Sequence, residues 1–335
     1  MSEELLGTTS YVHPNLKLLS YSSISLLHSC PRKFELYRLG QKANVADMWT
    51  ELDGEDAVPA VAMEGNVHFD FGSLVGDATQ HYLVHGDLEA TIFYMFTHWG
   101  RPLEDEADRG KKGKSFYHAV YAVQKFVQFR QSALAQWDVA KFNNIPATEL
   151  GYTIDCGDGF ISRGFLDALL VNKLTGSYAV YEGKTTGAYK IDEAMYRNSG
   201  QGLAYDLVLE TISGEQQDSY PVFYSVYSTN KLEWILFPFP KTKLGRSWWI
   251  KNLLIDKTHI SEYAEWGHFP MHGESCFSYN KPCQYFGECE RTNQSLGLFD
   301  IEPKVEDESK FTFKFSLEDI INKQLEKVGG VSGEI

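Results

Sequence analysis

Two acidic residues and a lysine within residues 163–186 have the spacing of a hydrolytic site. Two runs rich in β-branched and aromatic residues flank residues 172–177, and this pattern predicts a β-hairpin. Asp167 and Glu182 are equidistant from the centre of the turn, so a symmetric hairpin places them opposite each other, with Cβ atoms about 5 Å apart. Lys184 follows Glu182 by two positions and therefore shares its strand face.

This arrangement favours a divalent cation. Opposed carboxylates repel each other, and they are costly beside a core unless a cation joins them. Oxygen ligands suit Mg²⁺ or Mn²⁺, and Lys184 could then hold or deprotonate a water molecule, or stabilise charge on a phosphate. The alternative is a surface hairpin with an ordinary ion pair, and a register shift of one residue would remove the site.

A helix predicted at 199–212 carries the next motif. Gln201 and Tyr205 are four residues apart, which puts both side chains on one helix face. The order of an Asp in one strand, E-x-K in the next and then Q-x-x-x-Y on a helix resembles the RecB-like branch of the PD-(D/E)xK nucleases.

That resemblance implies an α/β fold in which a mixed sheet bearing the hairpin is flanked by helices. It makes Asp167, Glu182 and Lys184 the catalytic residues, with both acids binding the metal ion. It also implies that Gln201 and Tyr205 support the lysine and contact DNA phosphate.

An upstream motif departs from the family pattern. Related nucleases carry G-S-x-V-H on a helix, and its histidine binds metal. Residues 72–76 of this chain read G-S-L-V-G, so Gly76 stands in the place of the histidine. Gln80 and His81 lie one turn further on and are the candidate replacement ligands, although His81 could equally be an ordinary residue of the helix surface.

The five cysteines of the chain suggest a second site. Their odd number in a chain expected inside the cell argues against a disulfide framework. Related nucleases often place one cysteine before the core and three after it, and four residues here match that order: Cys30, Cys276, Cys283 and Cys289. The resemblance implies that their thiolates hold a [4Fe-4S] cluster, which joins an N-terminal and a C-terminal cap.

The cysteine spacing leaves alternatives open. Six residues separate Cys276 from Cys283, where relatives usually have two. Four thiolates, or three with a histidine such as His272, would also bind zinc. The cysteines could instead hold no metal, with Cys30 as part of the core. Cys156 precedes the hairpin and is expected to be a bystander.

Composition sets few limits on function. The 335 residues include 43% hydrophobic and 23% charged residues, which is ordinary for a globular protein. The formal net charge of -14 argues against a basic nucleic-acid coat protein, but it leaves room for a local basic groove. No apolar run is long enough to cross a membrane, and the acidic start lacks the pattern of a signal peptide, so a cytoplasmic location is expected.

Periodicity and turn signals predict the remaining elements. Helices are expected at 20–40 with a break at Pro31, at 69–85 and through 91–99, at 116–140, 199–212, 246–255 and 259–266, and once in the last 30 residues, capped by Ser316 and Asp319. Strands are expected within 148–186 and at 220–240 around a turn at Thr229-Asn230, and loops at 41–65 and 101–114.

These elements suggest four segments. They are an N-terminal helical segment with the first cysteine at 1–66, a nuclease core at 67–245, helices with the cysteine loop at 246–300, and a tail at 301–335.

The combined prediction is an Mg²⁺- or Mn²⁺-dependent DNA exonuclease acting on ends or single strands. The resemblance suggests a stand-alone, phage-type enzyme of recombination, replication or repair, with DNA as substrate and recombination or replication proteins as candidate partners. One alternative is a catalytically impaired relative that only binds DNA or a protein, which the missing motif histidine would favour. Another is an iron–sulfur redox protein with no nuclease role.

Overall fold

The computed structural model describes residues 12–40, 67–101, 103, 114–214, 217–278, 281–291 and 307–329. The acidic loop predicted at 41–65 lies outside the described residues, as does most of the loop predicted at 101–114. No helix among the described segments is both long and apolar enough to cross a membrane.

Among the described residues, a run of helices precedes a run of strands, and shorter groups of both follow toward the C-terminus. The helices are α1 (Pro14–Lys17), α2 (Tyr21–Ser29), α3 (Pro31–Arg38), α4 (Val67–His85), α5 (Leu88–His98), α6 (Phe116–Ala133), α7 (Glu193–Arg197), α8 (Gly200–Ser213), α9 (Lys243–Glu265), α10 (Phe286–Arg291) and α11 (Leu317–Gly329). The strands are β1 (Leu18–Leu19), β2 (Trp137–Val139), β3 (Lys141–Phe142), β4 (Ile145–Pro146), β5 (Thr148–Asp155), β6 (Ile161–Asn172), β7 (Tyr178–Thr186), β8 (Ser219–Ser228), β9 (Glu233–Thr242), β10 (Phe277–Ser278), β11 (Lys281–Pro282) and β12 (Phe313–Ser316).

One compact unit comprises residues 62–150 and 165–249, and its centre is a mixed sheet. Strand β6 pairs antiparallel with both β2 and β7, β7 pairs parallel with β8, and β8 pairs antiparallel with β9. The parallel pair requires a crossover between β7 and β8, and helices α7 and α8 provide it. Pro238 and Pro240 lie in β9, the last strand of this order, where a missing N–H is tolerated.

Helices cover both faces of this sheet because its strands alternate their side chains. Tyr181 and Phe223 belong to a buried cluster with Tyr82 of α4 and Phe126 of α6. The intervening positions point to the other face, where Tyr224 of β8 meets the start of α8. The residues that precede and follow Tyr181 therefore lie toward α8, and Glu182 is among them.

The second compact unit comprises residues 1–61, 151–164 and 250–335. Within it, β1 pairs parallel with the first residues of β6, and β12 pairs parallel with the later residues of β5. A buried aromatic contact joins Phe34 of α3 to Phe269, with ring centroids 6.4 Å apart. The Arg38 guanidinium donates from Nε to the Asn15 carbonyl at 2.7 Å, which ties α3 to α1.

Three predicted helices differ from the structure by more than a residue or two at their ends. The helix predicted at 116–140 ends at Ala133, because Trp137 and Val139 join the sheet by pairing with β6. The two helices predicted at 246–255 and 259–266 form one continuous helix, α9. The polar residues at its middle find partners within their own unit: Asp256 bonds to His28 at 2.8 Å, and Lys257 donates to the Cys156 carbonyl at 3.0 Å.

Candidate active site

The turn between β6 and β7 is set by its own residues. The Asn172 side-chain oxygen accepts hydrogen bonds from the backbone N–H groups of Leu174 and Thr175, at 2.9 and 3.1 Å. Gly176 has a φ of +70°, a conformation that glycine adopts without strain. The Asn172 N–H donates to the Ser177 carbonyl at 2.8 Å and closes the turn. This local bonding fixes the register of the whole hairpin.

The predicted register is confirmed. Ala168 pairs with Tyr181, and the three pairs between this one and the turn have the same register. Continued by one position, this register places Asp167 opposite Glu182. The Gly183 N–H donates to the Asp167 carboxylate oxygen Oδ2 at 2.7 Å, so this carboxyl group is held against β7.

Both acids lie where an anion is unfavourable. Glu182 is fully buried, and neither of its carboxylate oxygens accepts a hydrogen bond of ordinary geometry from the described residues. Burial raises the pKa of Glu182. Burial, together with the charge of Glu182, raises the pKa of Asp167 to about 7.

Lys184 offsets part of this charge. Its ammonium forms an ion pair with the Glu182 carboxylate, and it lowers the pKa of both acids against the effect of burial. Its side chain is 39% exposed, while that of Glu182 is inaccessible. Lys184 therefore connects the buried carboxylate to solvent, where a substrate would approach.

Helix α8 brings Gln201 and Tyr205 to the same place. The Gln201 amide donates to the Tyr205 hydroxyl at 2.5 Å, as expected for residues one turn apart. Tyr205 is buried, and its hydroxyl lowers the pKa of Glu182 against the dominant effect of burial. The structure thus brings together all five residues of the strand and helix motifs.

Of the two candidate replacement ligands on α4, the structure brings Gln80 toward the acids. The buried Gln80 amide donates to the Glu149 carboxylate at 2.6 Å. Glu149 in turn is close enough to raise the pKa of Glu182 and to have its own pKa raised by Asp167. Gln80 therefore reaches the site through Glu149.

His81 is directed elsewhere. Its Nδ1 lies 2.9 Å from the Thr91 hydroxyl, and its ring stacks on Tyr94 with centroids 5.0 Å apart. A second imidazole, that of His85, lies 4.4 Å from it. Since His81 is one residue beyond Gln80 on the helix, its side chain is rotated about 100° from the face that meets Glu149.

Two further acids were not anticipated from the sequence. Glu149 is the second residue of β5, and Asp77 lies on α4; burial raises the pKa of both Asp167 and Glu149, and the charge of Asp77 raises both further. Glu149 has a φ of +48°, a conformation that costs an L residue about 1 kcal/mol and that is frequent at functional sites. Neither acid belongs to a local motif, so only the folded arrangement identifies them.

The chemistry of this donor set suits a hard divalent cation. It contains carboxylates from β5, β6 and β7 and an amide from α4. Burial, and after it the repulsion between these acids, raises their pKa values, and a bound cation would offset both effects. In the described segments, no group of three or more His, Cys, Asp or Glu side chains is already drawn together tightly enough to hold a metal ion.

The four cysteines singled out in the sequence all belong to the unit that contains both chain ends. Burial, followed by the neighbouring thiols of Cys30 and Cys283, raises the pKa of Cys276. The pKa of Cys289 is also raised by burial and by the other three thiols, whereas Arg32 lowers it. The four side chains are thus electrostatic neighbours, although the described residues do not form a closed metal site there.

Cys156 is separate from this group. It is buried, its thiol donates to the Ile154 carbonyl at 3.3 Å, and burial raises its pKa to about 11.

Comparison with known proteins gives the family. A crystal structure of a candidate exonuclease from Eubacterium rectale aligns with 92% of this chain and 97% of its own, at 13% sequence identity and a TM-score of 0.44. No protein in the curated set matches the sequence. The sequence profile of the PD-(D/E)XK nuclease superfamily matches residues 18–262, which include the hairpin and helix α8. The chain therefore belongs to the PD-(D/E)XK nuclease superfamily.

Proposed function

We propose that this protein is an Mg²⁺- or Mn²⁺-dependent DNA exonuclease that acts in recombination, replication or repair. The observation that carries the proposal is the pair of opposed acids, Asp167 and Glu182, with Lys184 on the same strand face. Superfamily membership supports nuclease chemistry in general, and family members generally use Mg²⁺ or Mn²⁺.

Asp167 and Glu182 would hold the metal ion, with Glu149 and Gln80 completing the set. When bound, a divalent cation supplies Lewis-acid polarisation of the phosphate and lowers the pKa of a coordinated water. The hydrolysis breaks one P–O bond, and water provides the hydroxyl of the phosphate product and the proton of the alcohol product.

The other residues act on charge and orientation. Lys184 is exposed enough to contact a phosphate oxygen or to position the attacking water. Gln201 and Tyr205 orient the Glu182 carboxylate from helix α8, because the Tyr205 hydroxyl bonds to that carboxylate and the Gln201 amide restrains the hydroxyl.

The decisive experiment measures cleavage of end-labelled linear and circular DNA with Mg²⁺ or Mn²⁺. Asp167→Asn, Glu182→Gln and Lys184→Ala are each expected to lower the rate by at least about a hundredfold, as the loss of a catalytic group typically does. Circular dichroism of each variant checks the fold. Wild-type rates in the three variants would refute the site, and cleavage of circular DNA at the linear rate would refute exonuclease action.

A catalytically impaired relative is the competing function, and Gly76 in place of the motif histidine favours it. That function predicts DNA binding without cleavage by the wild-type protein at any Mg²⁺ or Mn²⁺ concentration. The same assay therefore separates the two functions.

We also propose that Cys30, Cys276, Cys283 and Cys289 hold a [4Fe-4S] cluster. The support is their mutual electrostatic proximity within one compact unit. Thiolates bind such clusters when deprotonated, and a bound cluster would remove the repulsion among them. Iron and sulfide analysis of protein purified without oxygen tests this, and zinc without iron would overturn it.

A further inference from the structure

A row of side chains on one face of the sheet leads from Glu182 to the edge strand β9. Glu182 of β7 pairs with Tyr224 of β8, and Tyr224 pairs with Phe237 of β9. Residues paired across neighbouring strands lie on the same sheet face. The Tyr224 backbone therefore lies about 5 Å from that of Glu182, one strand spacing, and the Phe237 backbone lies about 10 Å from it.

The ring of Tyr196, from helix α7, lies on this row. Its centroid is 5.2 Å from that of Tyr224 and 5.7 Å from that of Phe237, and it is nearly parallel to the Phe237 ring, at 12°. Burial raises the pKa of Tyr196 and the charge of Lys184 lowers it, which agrees with this position. The side chain is only partly buried, and its hydroxyl forms no hydrogen bond within the described part of the chain. A hydroxyl is thus available beside the acids.

Arg197, the next residue, adds a positive charge at the same edge. Its guanidinium lies over the Phe239 ring, 5.1 Å from the centroid, and its side chain is exposed. Phe239 follows Phe237 by two positions on β9 and therefore shares its face, with ring centroids 6.2 Å apart. No carboxylate among the described residues pairs with Arg197. Its N–H donors therefore remain available for an anion.

A buried lysine fixes the end of α7 that carries both residues. Lys241 is 2% exposed, and its ammonium donates to the carbonyls of Tyr196 and Arg197 at 2.9 and 2.7 Å. Carbonyls at the end of a helix lack partners within the helix itself. The same ammonium lies over the Tyr224 ring, 5.5 Å from its centroid, so α7 is tied to the row that contains Glu182. Donors held in this way lose little conformational entropy when a ligand binds.

A hydroxyl and a guanidinium side by side match the phosphate of a nucleic-acid backbone. We propose that Tyr196 and Arg197 form a phosphate-binding subsite for the DNA strand that is cleaved at Asp167 and Glu182. This inference rests on the proposed nuclease function. A distance of roughly 10 Å from the acids places the bound phosphate within about three nucleotides of the cleaved bond, at a rise of about 3.4 Å each.

The test measures how salt weakens the binding of a fluorescent single-stranded oligonucleotide, with Ca²⁺ in place of Mg²⁺. Each phosphate contact on a single strand adds about 0.7 to the magnitude of the slope of log K against log salt concentration. Arg197→Gln should therefore lower this magnitude by about 0.7, and Arg197→Lys, which keeps the charge, should retain it. Tyr196→Phe removes only the hydroxyl, so it should weaken binding by about fivefold with an unchanged slope.

Lys125→Gln is the matched control for charge. Lys125 also lies over an aromatic ring, that of Tyr121 at 5.4 Å, but it belongs to α6, whose Phe126 packs against the opposite sheet face. Its removal should leave the slope unchanged. Equal slopes for Arg197→Gln and wild type, or an equal loss in Arg197→Gln and Lys125→Gln, would overturn the subsite. Wild-type affinity in Tyr196→Phe would overturn it too.

Cleavage of the same oligonucleotide with Mg²⁺ or Mn²⁺ separates the two proposals, because binding with Ca²⁺ does not require catalysis. In this assay Arg197→Gln and Tyr196→Phe should raise KM more than they lower kcat. Failure of the wild type to cleave overturns the nuclease function, while the slope still decides the subsite. Cleavage by the wild type, with the slope of Arg197→Gln unchanged, overturns the subsite alone, as does a wild type that cleaves DNA without measurable binding.

Discussion

At the scale of single residues, the site buries more negative charge than the neighbouring positive side chain of Lys184 neutralises. Glu182 is inaccessible to solvent, Asp167 lies opposite it, and Lys184 provides one positive charge for the pair. Glu149 and Asp77 add further negative charge. Burial and mutual repulsion both raise the pKa values of these acids, and a divalent cation is the simplest partner that would offset both.

Metal binding should therefore depend on pH through Asp167. Its pKa is raised to about 7, so the side chain is protonated below that pH and ionised above it. A proton and a metal ion compete for the same oxygens. The Mg²⁺ concentration for half-maximal cleavage should rise by about tenfold per pH unit below about pH 7 and level off above it. A requirement that does not change between pH 5.5 and 8 would contradict this prediction.

The glycine at position 76 permits a gain-of-function test. Gly76 lies one turn before Gln80 on α4, and a Cβ added there meets no atom within 4 Å. Gly76→His would restore the histidine of the family motif on the face that carries Gln80. The metal concentration for half-maximal cleavage should then fall by about tenfold, the lower range of ligand-shell effects.

Gly76→Ala is the matched control for that change. It removes the same helical glycine and should stabilise the protein by roughly 0.5–1 kcal/mol in thermal unfolding, without altering the metal requirement. If both variants need as much metal as wild type, position 76 does not face the metal.

The sequence was sufficient to predict that the two acids lie opposite each other, because a hairpin is a local structure. The Asn172 turn sets the register, and the register alone places Asp167 opposite Glu182. Glu149 and Asp77 could not be found in this way, since they reach the site from a separate strand and helix. The sequence also could not show that the His81 side chain points away from the acids, because Gln80 and His81 are adjacent on the helix and either could have faced the site.

At the scale of elements, the position of α8 decides whether Gln201 and Tyr205 reach Glu182. Gly202 lies between them at a close approach, where an added Cβ would overlap the Tyr224 hydroxyl and lie 2.7 Å from Lys241 Cε. Lys241 in turn donates to the carbonyls of Tyr196 and Arg197, at 2.9 and 2.7 Å, at the end of α7.

A buried ionic network also fixes the position of helix α8. Arg246 is fully buried and forms ion pairs with Asp206 and Glu210 of α8, at 2.6 and 2.9 Å. Breaking such a pair by removing one partner leaves an uncompensated buried charge. These contacts indicate that α8 occupies one fixed position on the sheet.

Gly202→Ala should therefore impair catalysis through α8. The added methyl group must push the helix away from Tyr224 and Lys241, which moves Gln201 and Tyr205 with it. Misplacement by about 1 Å can cost about a hundredfold in rate, and overpacking should lower the free energy of unfolding by about 1–3 kcal/mol. Measurements of cleavage rate and thermal unfolding check both effects. Full activity in a folded variant would show that the helix position is not critical.

Helices and strands that depend on local sequence were predicted, whereas those that depend on distant contacts were not. Helices α2 and α3, with the break at Pro31, were predicted from local sequence signals, and the structure confirms them; the N-cap of α2 is Ser20, whereas Ser22 or Ser23 was expected. The end of α6 was predicted wrongly because β2 exists only through its pairing with β6. The continuity of α9 was not predicted, and its middle residue Asp256 bonds to His28, which is remote in sequence.

At the scale of the whole molecule, the chain ends belong to one compact unit and the hairpin that carries Asp167 and Glu182 belongs to the other. Cys30 lies near one chain end, and Cys276, Cys283 and Cys289 lie toward the other. If these residues share one cluster, the metal closes a loop of about 250 residues. Closing a loop of that length removes unfolded-state entropy worth on the order of 5 kcal/mol, by analogy with a disulfide.

Replacing any one of these four cysteines with serine should therefore lower both the iron content and the thermal unfolding temperature. Cys156→Ser is the matched control, because Cys156 belongs to the same unit but bonds to the Ile154 carbonyl, apart from the other thiols. It should retain its iron. Activity should fall in the four variants only as far as stability does, since the acids of the hairpin are untouched. Equal iron content in Cys30→Ser and Cys156→Ser would show that the chain ends do not share a cluster.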